Sequence, residues 1–312
     1  MTLTQLEYIV AVDQYGSFSQ AAEACFVTQP TLSMQIKKLE DYLGVMIFDR
    51  SKQPVIPTEV GRPLIEQARV VLTESRKLDE IIKTHQNTIS GELKVGIIPT
   101  LAPYLLPRFA GELVRSYPQV SLIIREWQTD EIVKALRKDL IDVAIIVTPL
   151  NEDGLEELPL FYEEILVYTN PTYKFEKQLE VKIQDIQSPD IWLLSDGHCF
   201  RDQVINLCSY NNKVEHNLPI TYNSGSLETL RKLVDREGGF TLLPELAVAE
   251  FDEDALERVR TFSDQKPVRE ISLVYARNFA KASLVKALGE VIRNNVPQDM
   301  LQRERGNVVG WK

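Results

Sequence analysis

The chain has little cysteine and little histidine, three of each in 312 residues. Three thiols cannot build a disulfide framework, and without a C-x-x-C pair they do not suggest a zinc site, so no metal is expected. No apolar run reaches membrane-spanning length, and the N-terminus has no signal-peptide layout. A cytoplasmic protein with reduced thiols and no membrane partner is therefore expected. Walker and dinucleotide fingerprints are absent, and no cofactor is expected. Positive charge is scarce as well. The formal net charge is −10, and residues 1–60 carry only Lys37, Lys38, Arg50 and Lys52 against seven acids. Nucleic-acid binding usually leaves a basic footprint. Here such a footprint must be local: residues 28–52 hold all four bases against three acids.

Apolar residues make up 44% of a chain long enough for two or three domains. Leu3, Leu6, Ile9, Val10 and Val12 recur at helical spacing, and Gly16 ends that helix. Ser17 to Gln20 reads as a capping box for a short helix, Phe18–Ala24, whose Ala21 and Ala22 permit close helix approach. Cys25-Phe26-Val27 reads as a tight turn, with Cys25 as a packing residue. Thr28 is placed to cap a third helix, where Pro30 is harmless in the first turn. That helix buries Leu32, Ile36, Leu39 and Leu43 and closes at Gly44. Two helices joined by a tight turn form a helix-turn-helix, although a plain three-helix bundle has the same spacing. The outward face of the third helix offers Gln29, Thr31, Ser33, Met34, Gln35, Lys37 and Lys38, with Pro30 at its start. In a helix-turn-helix that face meets base edges in the major groove, where a glutamine pairs with adenine. Arg50 and Lys52 lie on an expected β-wing, 45–57, and would contact phosphates.

From Thr58 to about Gln86 nothing interrupts a helix beyond its first turn. Leu64, Ala68, Val71, Ser75, Leu78, Ile82 and His85 alternate four- and three-residue steps. This is an a/d seam, to be buried against a second chain or against the helix's own body. After Ser90-Gly91 strands and helices alternate. Strands are expected over 93–99, 120–127, 142–148, 191–195 and 268–276, and helices over 104–117, 129–138, 200–210, 226–236 and 281–294. This is α/β in class. Crossovers near 163–168 and 262–268 would divide so long a region into two lobes. The expected organisation is a winged helix-turn-helix over 1–60, a linker helix over 61–90 and a two-lobed α/β domain over 91–312.

The most informative stretch is Gly197-His198-Cys199-Phe200-Arg201-Asp202-Gln203, with Cys208 nine residues after Cys199. Only a thiolate is a good nucleophile, and neighbouring positive charge and a helix N-terminus favour it. His198 and Arg201 flank Cys199, and a helix is expected just after it. Such a thiolate attacks peroxide to give a sulfenic acid, with which a second thiol condenses. Cys208 is the candidate. Two buried inert cysteines, or the nucleophile of a hydrolase, fit this stretch too.

Ala21-Ala22-Glu23, Gln29 through Ser33, Ile36-Lys37-Lys38-Leu39-Glu40, Leu43-Gly44-Val45, Phe48-Asp49-Arg50 and Thr58-x-x-Gly61 resemble the winged helix of LysR-type transcriptional regulators. Ile98-Pro99-Thr100, Gln128-Thr129, Gly197-His198-Cys199, Cys208, Ser226 through Arg231, Thr241 through Pro244 and Arg269 resemble the OxyR-type hydrogen-peroxide sensors within that family. Met34 departs from the family at a position often basic, and Thr221 at one that can be histidine. His216 is expected at the surface. The resemblance implies double-stranded operator DNA as ligand, hydrogen peroxide as signal, and no enzyme activity. It implies Cys199 as the peroxidatic and Cys208 as the resolving cysteine, with Thr100, Thr129, His198 and Arg269 around the peroxide. It further implies a homo-oligomer (a dimer of dimers), RNA polymerase as a partner and a thiol reductant system. A regulator switched by a small organic anion between the lobes, and a thiol peroxidase, are the alternatives. If residues 200–208 are helical, the two cysteines lie about 13 Å apart along the axis. A disulfide tolerates a Cα separation of only about 4.4–6.8 Å, so oxidation would unfold about residues 199–210.

Overall fold

The computed structural model describes residues 1–85, 88–208, 225–277 and 281–311. Two compact units divide the chain, one built chiefly from residues 1–89 and the other from most of residues 90–312.

In the first unit α1 (Leu3–Tyr15), α2 (Phe18–Ala24) and α3 (Gln29–Leu43) are followed by β1 (Phe48–Asp49), β2 (Ile56–Pro57) and α4 (Gly61–His85). β1 and β2 pair antiparallel, which makes the wing of a winged helix-turn-helix. α1 starts with a full capping box between Thr2 and Gln5 and stops at Gly16 in the left-handed conformation. The expected box at α2 is only half made: Ser17 accepts from the Gln20 N–H at 3.4 Å, with no return bond. Thr28 occupies the α3 cap without capping, because its hydroxyl pairs with Thr31 Oγ1 at 2.8 Å. Leu6, Ile9, Val12, Ala21, Ala22, Leu32, Ile36 and Leu39 close one core with Phe48. The Thr58-x-x-Gly61 motif has a direct physical cause. Thr58 Oγ1 donates to the Met46 carbonyl at 2.7 Å and accepts from the Gly61 N–H at 2.9 Å. A Cβ on Gly61 would run into the Ile47 carbonyl.

The seam on α4 splits in two. Ala68 is buried in the winged-helix core, with Leu64 packed against it, alongside Ile65 and Leu72. Leu78 and Ile82, with Ile81 between them, are 63%, 57% and 65% exposed, and Val71 is also exposed. The own-body reading thus holds for the first turns, and an exposed apolar face begins after them. Gln86 lies outside the described residues.

The second unit is a mixed sheet covered by helices. Its elements are β3 (Gly91–Ile97), α5 (Ala102–Ser116), β4 (Val120–Glu126), α6 (Thr129–Arg137), β5 (Val143–Thr148), β6 (Leu155–Thr169), β7 (Glu180–Val181) and α7 (Cys199–Cys208). They continue as α8 (Leu227–Glu237), β8 (Phe240–Pro244), α9 (Glu245–Val248), α10 (Glu253–Leu256), β9 (Val259–Phe262), β10 (Pro267–Ala276), α11 (Ala282–Asn294) and β11 (Asn307–Val308). The strand order is β4-β3-β5-β10-β6-β9-β7, with β8 on β6 and β11 on β10. β6 is the hinge of the architecture. Up to Glu164 it pairs with β10, and from Ile165 onward with β8 and β9. The chain therefore passes from one lobe to the other inside β6 and returns over residues 263–266. The second lobe has a core of its own, in which Phe175, Phe240, Phe200 and Leu230 meet.

Two expectations need correction. Residues 191–195 form no strand; Ile191 makes a single bridge to Phe240. β6, fifteen residues long, was not expected at all. Adjacent Glu163 and Glu164 break the alternation that identifies a strand.

Candidate redox and DNA-binding sites

Thr100 and Thr129 lie beyond the C-terminal ends of the parallel strands β3 and β4, where open α/β sheets place their ligand sites. Thr129 is the first residue of α6, and Cys199 is the first residue of α7. Arg269 stands on β10 directly opposite Glu163 on β6. Thr100, Thr129, His198, Cys199 and Arg269 are all buried.

The electrostatics differ from the sequence expectation. Neither His198 nor Arg201 is among the groups that bear most on the sulfur. Burial lowers the His198 imidazole, which is neutral near pH 7, and its Nε2 lies 3.4 Å from Gln128 Nε2. Arg201 pairs with Asp196 at 3.1 Å. The cation that bears on the sulfur is Arg269. Burial nevertheless pushes the Cys199 thiol up, and the opposing pull of Arg269 and then of the Thr129 hydroxyl does not cancel it. The net direction is upward, against the thiolate that the flanking charges suggested. Thr129 Oγ1, although it favours the thiolate, has no partner of ordinary hydrogen-bond geometry among the described residues.

Arg269 is held on nearly every side. Nε donates to Glu163 Oε1 at 2.7 Å, Nη1 to Thr100 Oγ1 at 3.1 Å and Nη2 to the Thr100 carbonyl at 3.1 Å. Nη2 also lies 2.6 Å from Glu163 Oε1, and the Phe200 ring covers the guanidinium at 5.1 Å. Of the five N–H hydrogens, three have a hydrogen-bond acceptor among the described residues. Glu163 was missed by sequence reading. Its signal is a glutamate inside a buried apolar run, which a buried strand tolerates only with a partner.

α7 separates the two thiols. Cys199 and Cys208 are both free and buried at opposite ends of a ten-residue helix. Burial pushes the Cys208 thiol up to about 12. Phe200, Val204, Leu207 and Cys208 join the core of the second lobe. On its other side Gln203 Nε2 donates to the Val309 carbonyl at 2.7 Å and Asn206 Nδ2 to the Gly310 carbonyl at 2.9 Å. Tyr210, His216 and Thr221 lie outside the described residues. Cys25 is half-buried against the winged-helix core, and burial, then Glu7, raise its thiol.

On the winged helix, Gln29, Pro30, Met34, Lys37, Lys38, Arg50 and Lys52 are exposed, while Thr31, Ser33 and Gln35 are half-buried. Gln29 Oε1 accepts from Ser19 Oγ at 3.0 Å, and Gln35 Oε1 from Gln5 Nε2 at 3.3 Å. Arg50 does more than present a charge. Its Nη2 pairs with Glu40 at 3.0 Å, and its guanidinium lies 4.8 Å from the Phe18 ring centre. Glu40 is buried and also accepts the Ile47 N–H at 2.8 Å, so it ties the wing to α3. Sequence reading gave Glu40 no role.

Comparison with known proteins identifies the family of the chain. Residues 3–74 match the bacterial regulatory helix-turn-helix protein model of the lysR family, and residues 86–297 match the LysR substrate binding domain. The hydrogen peroxide-inducible genes activator of Pectobacterium carotovorum is 35% identical over 297 residues, 95% of this chain and 97% of that protein. The DNA-binding transcriptional dual regulator OxyR of Escherichia coli K12 is 36% identical over 294 residues, 94% of this chain and 95% of that protein. Full-length OxyR of Pseudomonas aeruginosa, solved as a single-site variant, matches with a TM-score of 0.80 at 36% identity, over 95% of this chain and 99% of that one. An OxyR mutant of Corynebacterium glutamicum with hydrogen peroxide bound matches with a TM-score of 0.63 at 30% identity, over 96% and 94%. With its winged helix, its two-lobed domain and OxyR relatives along nearly its whole length, the chain belongs to the LysR family of bacterial transcriptional regulators.

Proposed function

We propose that the chain is a transcriptional activator that senses hydrogen peroxide through Cys199 and a Cys199–Cys208 disulfide. The observation that carries this reading is a fully buried guanidinium bearing on a cysteine at a helix N-terminus. In the first step Cys199 Sγ attacks one peroxide oxygen and the O–O bond breaks. The thiol proton leaves with the departing hydroxide as water, and Cys199 becomes a sulfenic acid. Arg269 stabilises the negative charge that develops on sulfur and on the leaving oxygen. Thr100, Thr129 and His198 orient the peroxide. In the second step the Cys208 thiol attacks the sulfenic sulfur, expels water and forms the disulfide. The two thiols have then given two electrons to the peroxide, and a thiol reductant system of the cytoplasm returns them.

The output is DNA binding. Residues 1–60 would read the operator, with Gln29, Pro30, Thr31, Ser33, Met34 and Gln35 in the major groove and Lys37, Lys38, Arg50 and Lys52 on phosphates. The exposed apolar face of α4 in the linker, 61–90, would pair two chains, and two such dimers would bind together. Residues 91–312 would pass the redox state on to these heads and to RNA polymerase. The compared relatives are regulators, which counts against a thiol peroxidase. A sensor consumes one peroxide per reduction, whereas an enzyme turns over.

The test is a footprint on genomic fragments before and after peroxide. The wild-type footprint is expected to change, and the Cys199→Ser variant to keep the reduced pattern at every dose. A Cys199→Ser protein that still switched would return the reading to a small-molecule effector between the lobes.

A further inference from the structure

The Arg269–Glu163 pair is unusually closed. Both side chains are 0% exposed. Nε and Nη2 converge on one carboxylate oxygen at 2.7 and 2.6 Å, while the other oxygen accepts the Leu246 N–H at 3.2 Å. The β6–β10 register sets the two residues opposite each other. The site thus has one cation and two acids able to answer it: a carboxyl in contact, which burial pushes up while Arg269 and the Leu246 N–H pull it down, and a thiol that burial also pushes up. A charge already matched at contact distance attracts a second anion less. We infer that Glu163 is a positioning residue that sets the sensor's threshold: it fixes the edge of the Arg269 guanidinium and competes with Cys199 for its charge. On this view the carboxylate adds to the burial that already disfavours the thiolate. The inference rests on Cys199 as the reactive thiol, but its test needs no peroxide.

The experiment is the pH profile of iodoacetamide alkylation at Cys199 in the full chain, read by peptide mass spectrometry. Glu163→Gln keeps an oxygen acceptor in place and drops the charge. It should move the profile down by about one pH unit or more, a roughly tenfold faster alkylation near neutral pH. Arg269→Gln should move it up. In the double variant the Glu163→Gln shift should vanish, since it acts through the guanidinium. A folded Glu163→Gln protein with an unmoved or raised profile overturns the inference. So does an equal downward shift with and without Arg269, which would mean that the carboxylate acts on the sulfur directly. Removing one partner of a buried pair is strongly destabilising. If Glu163→Gln does not fold, Glu163→Asp, which withdraws the carboxylate by one methylene, should shift the profile the same way by less. An unmoved Glu163→Asp profile is equally fatal. A Cys199 that titrated as expected yet ignored peroxide would refute the sensing reading alone.

Discussion

α7 must come apart before the proposed disulfide can close. Nine residue steps at about 1.5 Å each separate its ends by roughly 13 Å, against the 4.4–6.8 Å of Cα separation, roughly, that a disulfide accepts. Val204 is 3% exposed and packs with Phe200, Leu207 and Leu230 in the second-lobe core, so it helps to hold the helix down. Val204→Ala removes two buried carbons, about 1.6 kcal/mol of transfer free energy, and leaves a cavity that adds to the loss. Alanine returns about 0.6 kcal/mol as a better helix former. The net weakening, about 1–2 kcal/mol, raises the open population roughly 5–30-fold. Rapid quenching with dimedone separates the two steps, since dimedone traps the sulfenic acid and mass spectrometry counts the disulfide. Disulfide closure should speed up by that factor, while the first oxidation, one helix turn away, should not change. Amide exchange at Val204 to Cys208 reports the opening itself. If exchange showed the extra opening and closure kept its wild-type rate, unwinding of α7 would not lie on the route to the disulfide.

Burial pushes the Cys199 thiol up, so its oxidation should follow the thiolate fraction and climb roughly tenfold per pH unit through neutrality. A flat rate in stopped-flow fluorescence would mean that the thiolate is already formed at rest. On the winged helix, Lys38→Ala should weaken DNA binding and reduce the salt slope by about one unit. Arg50→Ala should cost more, since it also unties Glu40, and Glu40→Gln should reproduce part of that loss without touching DNA. Equal effects of the two cation variants, with Glu40→Gln silent, would remove the structural role of Arg50. Phe26 holds φ +56 in the helix-turn-helix turn with its ring 96% exposed. A left-handed non-glycine residue costs about 1–2 kcal/mol, less for asparagine, so Phe26→Asn should stabilise the N-terminal unit by up to about 1 kcal/mol. A drop in urea-unfolding stability would show that the ring packs in solution.

Much of the fold was legible where the signal is local. The stops at Gly16 and Gly44, the periodic Leu32, Ile36 and Leu39, and the Ser226 cap of α8 all depend on residues within about four of each other along the chain. β6 was not legible, because each half is a strand for a different set of partners and Glu163 and Glu164 interrupt it. The apolar run 191–195 looked like a strand and found a single bridge.

The sequence by itself determined the family, the helix-turn-helix and the two thiols nine residues apart, because these are matters of residue type and spacing. Only the tertiary structure decided which charges act on them. The flanking His198 and Arg201 suggested a ready thiolate, yet burial lowers the imidazole and the Arg201 guanidinium pairs with Asp196. The cation that acts on Cys199 comes from β10, and its counterion from β6 through strand register. Helix periodicity is written along the chain, whereas a protonation state depends on distance and dielectric in three dimensions.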